Sequence, residues 1–105
     1  MIFIYTTCKN EKEAQKIVKA LLNKKLVVCA NWWPSNACYE WKGKICSEKE
    51  IILILKTKNQ NYSKIKTEIK KLHSYDTPII AKIKIEDVNK DYLKWLENTL
   101  PKGTT

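Results

Sequence analysis

The sequence predicts an α+β fold: a ferredoxin-like two-layer sandwich whose antiparallel sheet carries helices on one face, with an extra C-terminal helix. Three observations predict it. Short β-branched runs alternate with two amphipathic helical stretches, two consecutive strands meet at a turn at Lys42-Gly43, and a third amphipathic stretch closes the chain. With 105 residues, the whole range 1–105 is predicted to form a single domain.

The chain opens with a strand and a helix. Residues 2–6 are short, β-branched and aromatic, which is typical of a buried strand. Asn10 and Glu13 have the spacing of a helix N-cap and its capping-box partner. Apolar residues then recur at helical spacing, with lysines on the other side, and this pattern predicts an amphipathic helix over residues 11–24.

A hairpin and a strong central strand follow. Residues 26–33 are a strand candidate that Pro34 is expected to stop, and residues 37–41 resume extended structure before the turn. Residues 50–57 are apolar on both faces, so they are predicted to lie centrally in a covered sheet.

The second half repeats the helix–strand pattern and adds the last helix. An apolar stripe at residues 62–72 predicts a helix capped by Asn59 or Asn61, and residues 79–85 predict a strand. Asn89 is the expected N-cap of the final helix. That helix is expected to end at two residues that do not continue helices, Pro101 and Gly103.

The formal charge of +9 raises the question of nucleic-acid binding. Every basic residue is lysine, and arginine, whose planar fork reads bases and phosphates, is absent. The lysines are also dispersed, so a solvated surface is favoured and no nucleic-acid partner is expected. No apolar run approaches the roughly 20 residues that span a bilayer, so no membrane partner is expected. The start of the sequence lacks a basic leader, and a cytoplasmic location is predicted.

The four cysteines show neither C-x-x-C pairing nor a histidine at zinc-knuckle spacing, so free thiols are expected rather than a structural zinc site. Cys8 and Cys46 are either reactive surface thiols or incidental substitutions, and the second interpretation is favoured. Cys38 is likewise taken as incidental.

Self-association is predicted from the surplus of apolar surface. The strand at residues 50–57 is apolar on both faces, but helices cover only one face of such a sandwich. Trp32, Trp33 and Trp41 add to this surplus. Because monomers rarely leave a large apolar patch exposed, the open face is expected to pack against further copies of the chain.

Short segments spread from Ile4 to Leu100 together form a specific pattern. They are Tyr5-Thr6-Thr7, residues 26–31 with Pro34, Tyr39, Trp41, residues 43–45, Glu48, Glu50, residues 55–57, His73, Tyr75, Pro78-Ile79 and residues 91–96. In this order and spacing they resemble the CutA family. The resemblance implies a PII-like homotrimer linked to tolerance of divalent metals, with copper or another divalent ion as the cofactor. One departure is Ser74, where the family usually has proline between histidine and tyrosine.

The resemblance also implies site residues. Cys29 matches the family cysteine tied to metal, and its thiolate suits copper(I); the alternative, weighed equally, is a small buried hydrophobe. His73, the only histidine, is the second metal candidate; the alternatives are an acid or base near neutral pH and a structural role capping helix carbonyls, and the structural role is favoured. Residues matching an inter-subunit cleft are Tyr39, Trp41, Glu48, Glu50, Lys56, Thr57 and Tyr75; the alternative, which is favoured, is that they form interface ion pairs and packing contacts.

The predicted function is non-enzymatic, because the sequence has no visible nucleophile–base pair and no glycine-rich phosphate loop. The first hypothesis is a trimeric metal-binding protein of metal tolerance. The alternative is a PII-like sensor or scaffold that binds a small molecule in the clefts between subunits.

Overall fold

The computed structural model describes residues 1–102. Its elements, in chain order, are β1 (Ile2–Cys8), α1 (Glu11–Asn23), β2 (Cys29–Trp41), β3 (Lys44–Thr57), α2 (Tyr62–Leu72), β4 (Ile80–Lys84) and α3 (Lys90–Thr99), with a short 3-10 turn at Asn59–Asn61. This order confirms the predicted alternation of strands and helices. Gly103, one of the two expected stop signals of the last helix, lies outside the described residues.

The four strands form one sheet in the order β2-β3-β1-β4, and every neighbouring pair is antiparallel. Residue Ile4 of β1 therefore lies between Leu55 of β3 and Lys82 of β4. α1 links β1 to β2 and α2 links β3 to β4, so the topology is ferredoxin-like, as predicted. None of the helices in residues 1–102 is long and apolar enough to span a bilayer.

The core lies between the sheet and the first two helices. Along β3, Ile51, Leu53 and Leu55 are buried while the residues between them are only half-buried, which is the period-2 alternation of a strand. These residues share one cluster with apolar side chains of β1, α1 and α2, among them Ile4, Ile17, Leu21, Ile65 and Ile69.

The opposite face of the sheet is only partly covered. Ile52 and Ile54 are half-buried there, and Tyr5 lies beside Ile54 in the register. α3 covers one end of this face, because the Lys56 ammonium group lies 5.9 Å from the ring centroids of both Phe3 and Tyr92. Other side chains of this face remain open: Trp33, opposite Ile52, is 45% exposed, and Ile83, beside Phe3 on the edge strand β4, is 43% exposed.

The prediction that Pro34 stops a strand is wrong. β2 runs through Pro34, which lies opposite Ile51 of β3. Since β2 is an edge strand, a residue without an N–H loses no ladder bond where its nitrogen faces away from β3. The predicted turn is confirmed: Lys42 and Gly43 have φ values of 51° and 77°. Beyond the end of β1 at Cys8, β2 and β3 continue as a two-stranded ribbon to this turn.

The predicted helix starts are confirmed in position, but only one is capped as expected. The Asn10 side chain accepts a hydrogen bond from the Glu13 N–H at 2.9 Å. Asn61 makes no capping bond; its side-chain amide nitrogen donates to the Leu26 carbonyl at 3.0 Å. Asn89 stands at the start of α3 without a side-chain capping bond.

Candidate functional site

The two predicted metal ligands lie at opposite ends of the sheet. Cys29 begins β2, opposite Lys56, and this row continues to Phe3 on β1. The His73 ring contacts Thr7 farther along β1, about 13 Å from the Phe3 row at roughly 3.3 Å per residue. One chain therefore does not bring the two side chains to a single ion, and metal binding by either stays a prediction.

Cys29 is half-buried, and its Sγ atom lies 3.9 Å from the Ala30 carbonyl oxygen. On α3, burial and then the neighbouring Cys29 raise the pKa of the Tyr92 hydroxyl. Within residues 1–102, the one group of three metal-ligand side chains does not include Cys29. A metal site at Cys29 would thus need ligands from other copies of the chain.

That group of three is Cys8, Glu13 and His73, whose ligand atoms all lie within 4.8 Å of one another. It is packed where the end of β1, the first turn of α1 and the segment after α2 meet. The Cys8 side chain is fully buried, and the His73 side chain has no exposed surface. Within this group, His73 Nδ1 lies 3.7 Å from Glu13 Oε1.

The Glu13 carboxylate connects three segments. One oxygen accepts the Lys9 N–H at 3.1 Å and the other accepts the Ser74 N–H at 3.1 Å. In the predicted capping box this carboxylate would bond to the Asn10 N–H, but it reaches past Asn10 to Lys9. Burial by itself would raise the Glu13 pKa; the hydrogen bonds from Ser74 and Lys9 outweigh it, so the pKa is lowered.

His73 is held in one tautomer by two backbone groups. Its Nε2 atom lies 2.7 Å from the Thr7 carbonyl oxygen, and its Nδ1 atom lies 3.1 Å from the Tyr75 nitrogen. Because a carbonyl only accepts and an N–H only donates, Nε2 carries the proton and Nδ1 presents its lone pair. The interpretation that the side chain caps helix carbonyls is wrong, since only the backbone N–H of His73 bonds to α2, at Ile69.

The alternative that Cys8 is a reactive surface thiol is also wrong. Cys8 ends β1, which is a central strand and not an edge, and its side chain is fully buried. Burial first, and then the charges of Glu13 and Glu50, raise the pKa of Cys8 to about 12. The thiol is therefore protonated and unreactive at neutral pH. By contrast, Cys38 is exposed and Cys46 is half-buried.

Four of the predicted cleft residues do lie together. The Tyr39 hydroxyl donates to Glu48 at 2.9 Å, and the Tyr75 hydroxyl donates to Glu50 at 2.9 Å. Both glutamates lie on β3 beyond the end of β1. The hydrogen bond to Glu48 is the main cause of the raised pKa of Tyr39. For Tyr75, burial and then the bond to Glu50 raise the pKa of the hydroxyl.

The other three cleft candidates lie elsewhere. Lys56 is at the opposite end of β3, between Phe3 and Tyr92. Thr57 is buried, and its hydroxyl donates to the Leu26 carbonyl. Trp41 stands at the tip of the hairpin and is 62% exposed. The predicted cleft set is thus divided among three places within one chain.

Sequence reasoning did not group Cys8 and Glu13 with His73. The sequence predicts only a capping role for Glu13, and for Cys8 either a reactive surface thiol or an incidental substitution. One signal is present: Cys8 follows the predicted first strand by two positions and is separated from Glu13 by only the helix start. Nothing in the pattern places His73 beside them, because that contact depends on the path of the chain after α2.

Comparison with known proteins gives consistent matches over nearly the whole chain. The family model described as CutA1 divalent ion tolerance protein matches residues 2–99. The divalent-cation tolerance protein CutA of Pyrococcus horikoshii is 48% identical over 96 residues, which are 91% of this chain and 94% of that protein. The crystal structure of CutA1 from the same organism has a TM-score of 0.92 at 45% identity, covering 97% of this chain and 100% of the other.

A further solved structure corrects one prediction. The CutA protein of Archaeoglobus fulgidus matches with a TM-score of 0.91 and 40% identity over 94% of this chain and 98% of its own, and it is described as a periplasmic divalent cation tolerance protein. This finding overturns the predicted cytoplasmic location. That prediction rested on the first residues of the sequence alone, and the start of a chain does not establish where the protein resides.

Proposed function

The chain belongs to the CutA1 divalent ion tolerance protein family, and from this premise we propose that it acts in metal tolerance as a non-enzymatic homotrimer that binds copper or another thiophilic ion. The observation that carries the proposal is the incompletely covered sheet face with Cys29 at its margin. Two steps lead from this face to the function: assembly of copies on it, and convergence of their thiols.

Assembly is supported by the apolar character of the open face. Ile52, Ile54 and Tyr5 are only half-buried by their own chain, and Trp33 and Ile83 are 45% and 43% exposed. At about 25 cal/mol per Å² of apolar area, covering such a face favours association. A closed ring of three copies would bury it without leaving a further free face.

Metal binding is supported by the chemistry of Cys29. A thiolate is a soft ligand that suits copper(I), and the half-buried Cys29 is accessible where the fully buried Cys8 is not. Its own chain offers it no group of partner ligands among residues 1–102. Copies related by a threefold axis would supply the missing ligands as further thiolates, so the binding step depends on the assembly step.

The experiment is an anaerobic copper(I) titration by calorimetry, combined with light scattering. We expect a mass of three chains, and binding that falls at least about tenfold in Cys29→Ser but is unchanged in Cys38→Ser, the matched control at an exposed cysteine. Equal binding by wild type and Cys29→Ser would remove Cys29 from the proposal. The mass of one chain would remove the trimer.

A second candidate function is a small-molecule sensor, and the paired Tyr39–Glu48 and Tyr75–Glu50 hydroxyl–carboxylate contacts favour it. Two aromatic phenols and two carboxylates close together suit a cationic or zwitterionic ligand with apolar parts. A thermal-shift screen of metabolites in the presence of a chelator distinguishes the two, since only the sensor gains stability from a ligand without metal.

A further inference from the structure

We propose that Cys8, Glu13 and His73 form a second metal site, separate from Cys29, that takes one divalent cation of the zinc class. Thiolate sulfur, carboxylate oxygen and imidazole nitrogen are the three donor types that zinc uses in proteins. The site lies within one chain, so it needs neither the trimer nor Cys29. This second site can therefore be tested independently of the copper site proposed above.

The spacing of the three donors suits a four-coordinate ion. Two ligands about 2.1 Å from a tetrahedral ion lie about 3.4 Å apart. His73 Nδ1 and Glu13 Oε1 are 3.7 Å apart, and Cys8 Sγ completes a group in which no pair of ligand atoms exceeds 4.8 Å. Small rotations of these side chains would bring all three within bonding distance. The fourth position is left to water, as in other zinc sites with three protein ligands.

The orientation of His73 is the second, independent observation. A metal-binding histidine usually donates its other ring N–H to a carbonyl or carboxylate, which fixes the tautomer. Here Nε2–H donates to the Thr7 carbonyl, and Nδ1, which accepts the Tyr75 N–H, lies 3.7 Å from the Glu13 carboxylate. Two acceptors at this distance with no proton between them repel, and a cation between them turns this repulsion into attraction. Metal binding would have to break one contact, the hydrogen bond that the Tyr75 N–H donates to Nδ1.

The ligands are otherwise held in place from outside the site. The Glu13 oxygens are fixed by the Lys9 and Ser74 N–H groups, and each oxygen retains a lone pair for a metal. Cys8 is fixed by its strand and its complete burial.

Charge and proton balance also favour the ion. On binding, the Cys8 S–H bond breaks, a metal–sulfur bond forms, and one proton passes to solvent; no electrons are transferred. The doubly charged ion, the thiolate and the Glu13 carboxylate then sum to zero. A group of zero net charge then replaces a buried negative charge, which lowers the cost of burying charge here.

The test uses cobalt(II) added to the purified full chain, because four-coordinate cobalt absorbs visible light and a cobalt–thiolate bond adds a near-ultraviolet charge-transfer band. We expect one ion per chain, with this band, in the wild type and in Cys29→Ser. Cys8→Ser should lose the band and bind at least about tenfold more weakly. Zinc added to the cobalt form should bleach the spectrum.

Glu13→Gln is the second variant, since it keeps the side-chain shape and one hydrogen-bond acceptor if Cys8→Ser fails to fold. It should keep native circular dichroism and lose at least about tenfold in cobalt affinity. Release of about one proton per ion in weak buffer is the independent readout. A thiolate band that persists in Cys8→Ser, or that disappears in Cys29→Ser instead, would overturn this site, and the second result would still support the site at Cys29.

Discussion

Replacing Glu13 by alanine should destabilise the fold far more than its position in the first turn of a helix suggests. The carboxylate accepts hydrogen bonds from the Lys9 and Ser74 N–H groups, each at 3.1 Å, and joins the start of α1 to the segment after α2. Bonds to a charged acceptor contribute about 1.5–3 kcal/mol each when buried. Lys9 and Ser74 are exposed residues whose N–H groups regain water, so we expect about 1–1.5 kcal/mol per bond and about 2–3 kcal/mol in total.

Glu11→Ala is the matched control, because it removes the same charge from the same helical turn. Among the described residues, the Glu11 carboxylate accepts a side-chain hydrogen bond only from Gln15, at 3.1 Å in an exposed contact, and we expect a loss of about 0.5 kcal/mol. The assay is chemical unfolding monitored by circular dichroism, with chelator present and protein concentration fixed so that neither metal nor assembly contributes. Equal losses in the two variants would refute the idea that Glu13 joins the two segments.

Three further outcomes follow from the contacts described. In the folded chain the pKa of Glu13 is lowered from its ordinary value of 4.5, so the stability that its carboxylate contributes is fully present above pH 4.5 and is lost as the pH falls through the folded pKa. Unfolding midpoints measured across this pH range should fall less in Glu13→Gln than in the wild type. Asn10→Ala should cost about 1 kcal/mol in unfolding free energy, while Asn89→Ala, whose side chain makes no capping bond, should change it little. Ile54→Lys should give the mass of one chain by light scattering, with its circular dichroism spectrum unchanged. The control is Leu22→Lys, at an exposed position on α1, which should leave the assembly intact. An unchanged mass in Ile54→Lys would exclude the open face as the interface.

The parts of the fold that depend on local pattern were predictable. The helix over residues 11–24 and the turn at Lys42-Gly43 are confirmed because amphipathic period, cap residue and positive-φ glycine all act within a few residues. The continuation of β2 through Pro34 was not predictable in the same way. Whether a proline ends a strand depends on whether the strand lies at an edge, and this is a property of the assembled sheet.

The candidate sites also differ in whether local pattern or tertiary packing determines them. The Tyr39–Glu48 pair follows from register across a predicted hairpin, so a resemblance in sequence could point to it. The Cys8–Glu13–His73 group was missed because it joins residues that are 65 positions apart in sequence (73 − 8), through a segment with no regular pattern. Close approach of this kind is decided by tertiary packing and leaves no period in the sequence.

The ribbon of β2 and β3 beyond the end of β1 has a consequence for the motions of the chain. There each strand has a single hydrogen-bonded neighbour, and an isolated pair of strands is marginally stable in water. Ile45 at 81% and Trp41 at 62% exposure contribute little burial within the chain. Its amides should therefore exchange with solvent by local opening, well before those of Leu53 or Ile4. We therefore expect this ribbon to be the least stable part of the sheet, and contact with another molecule would stabilise its paired form.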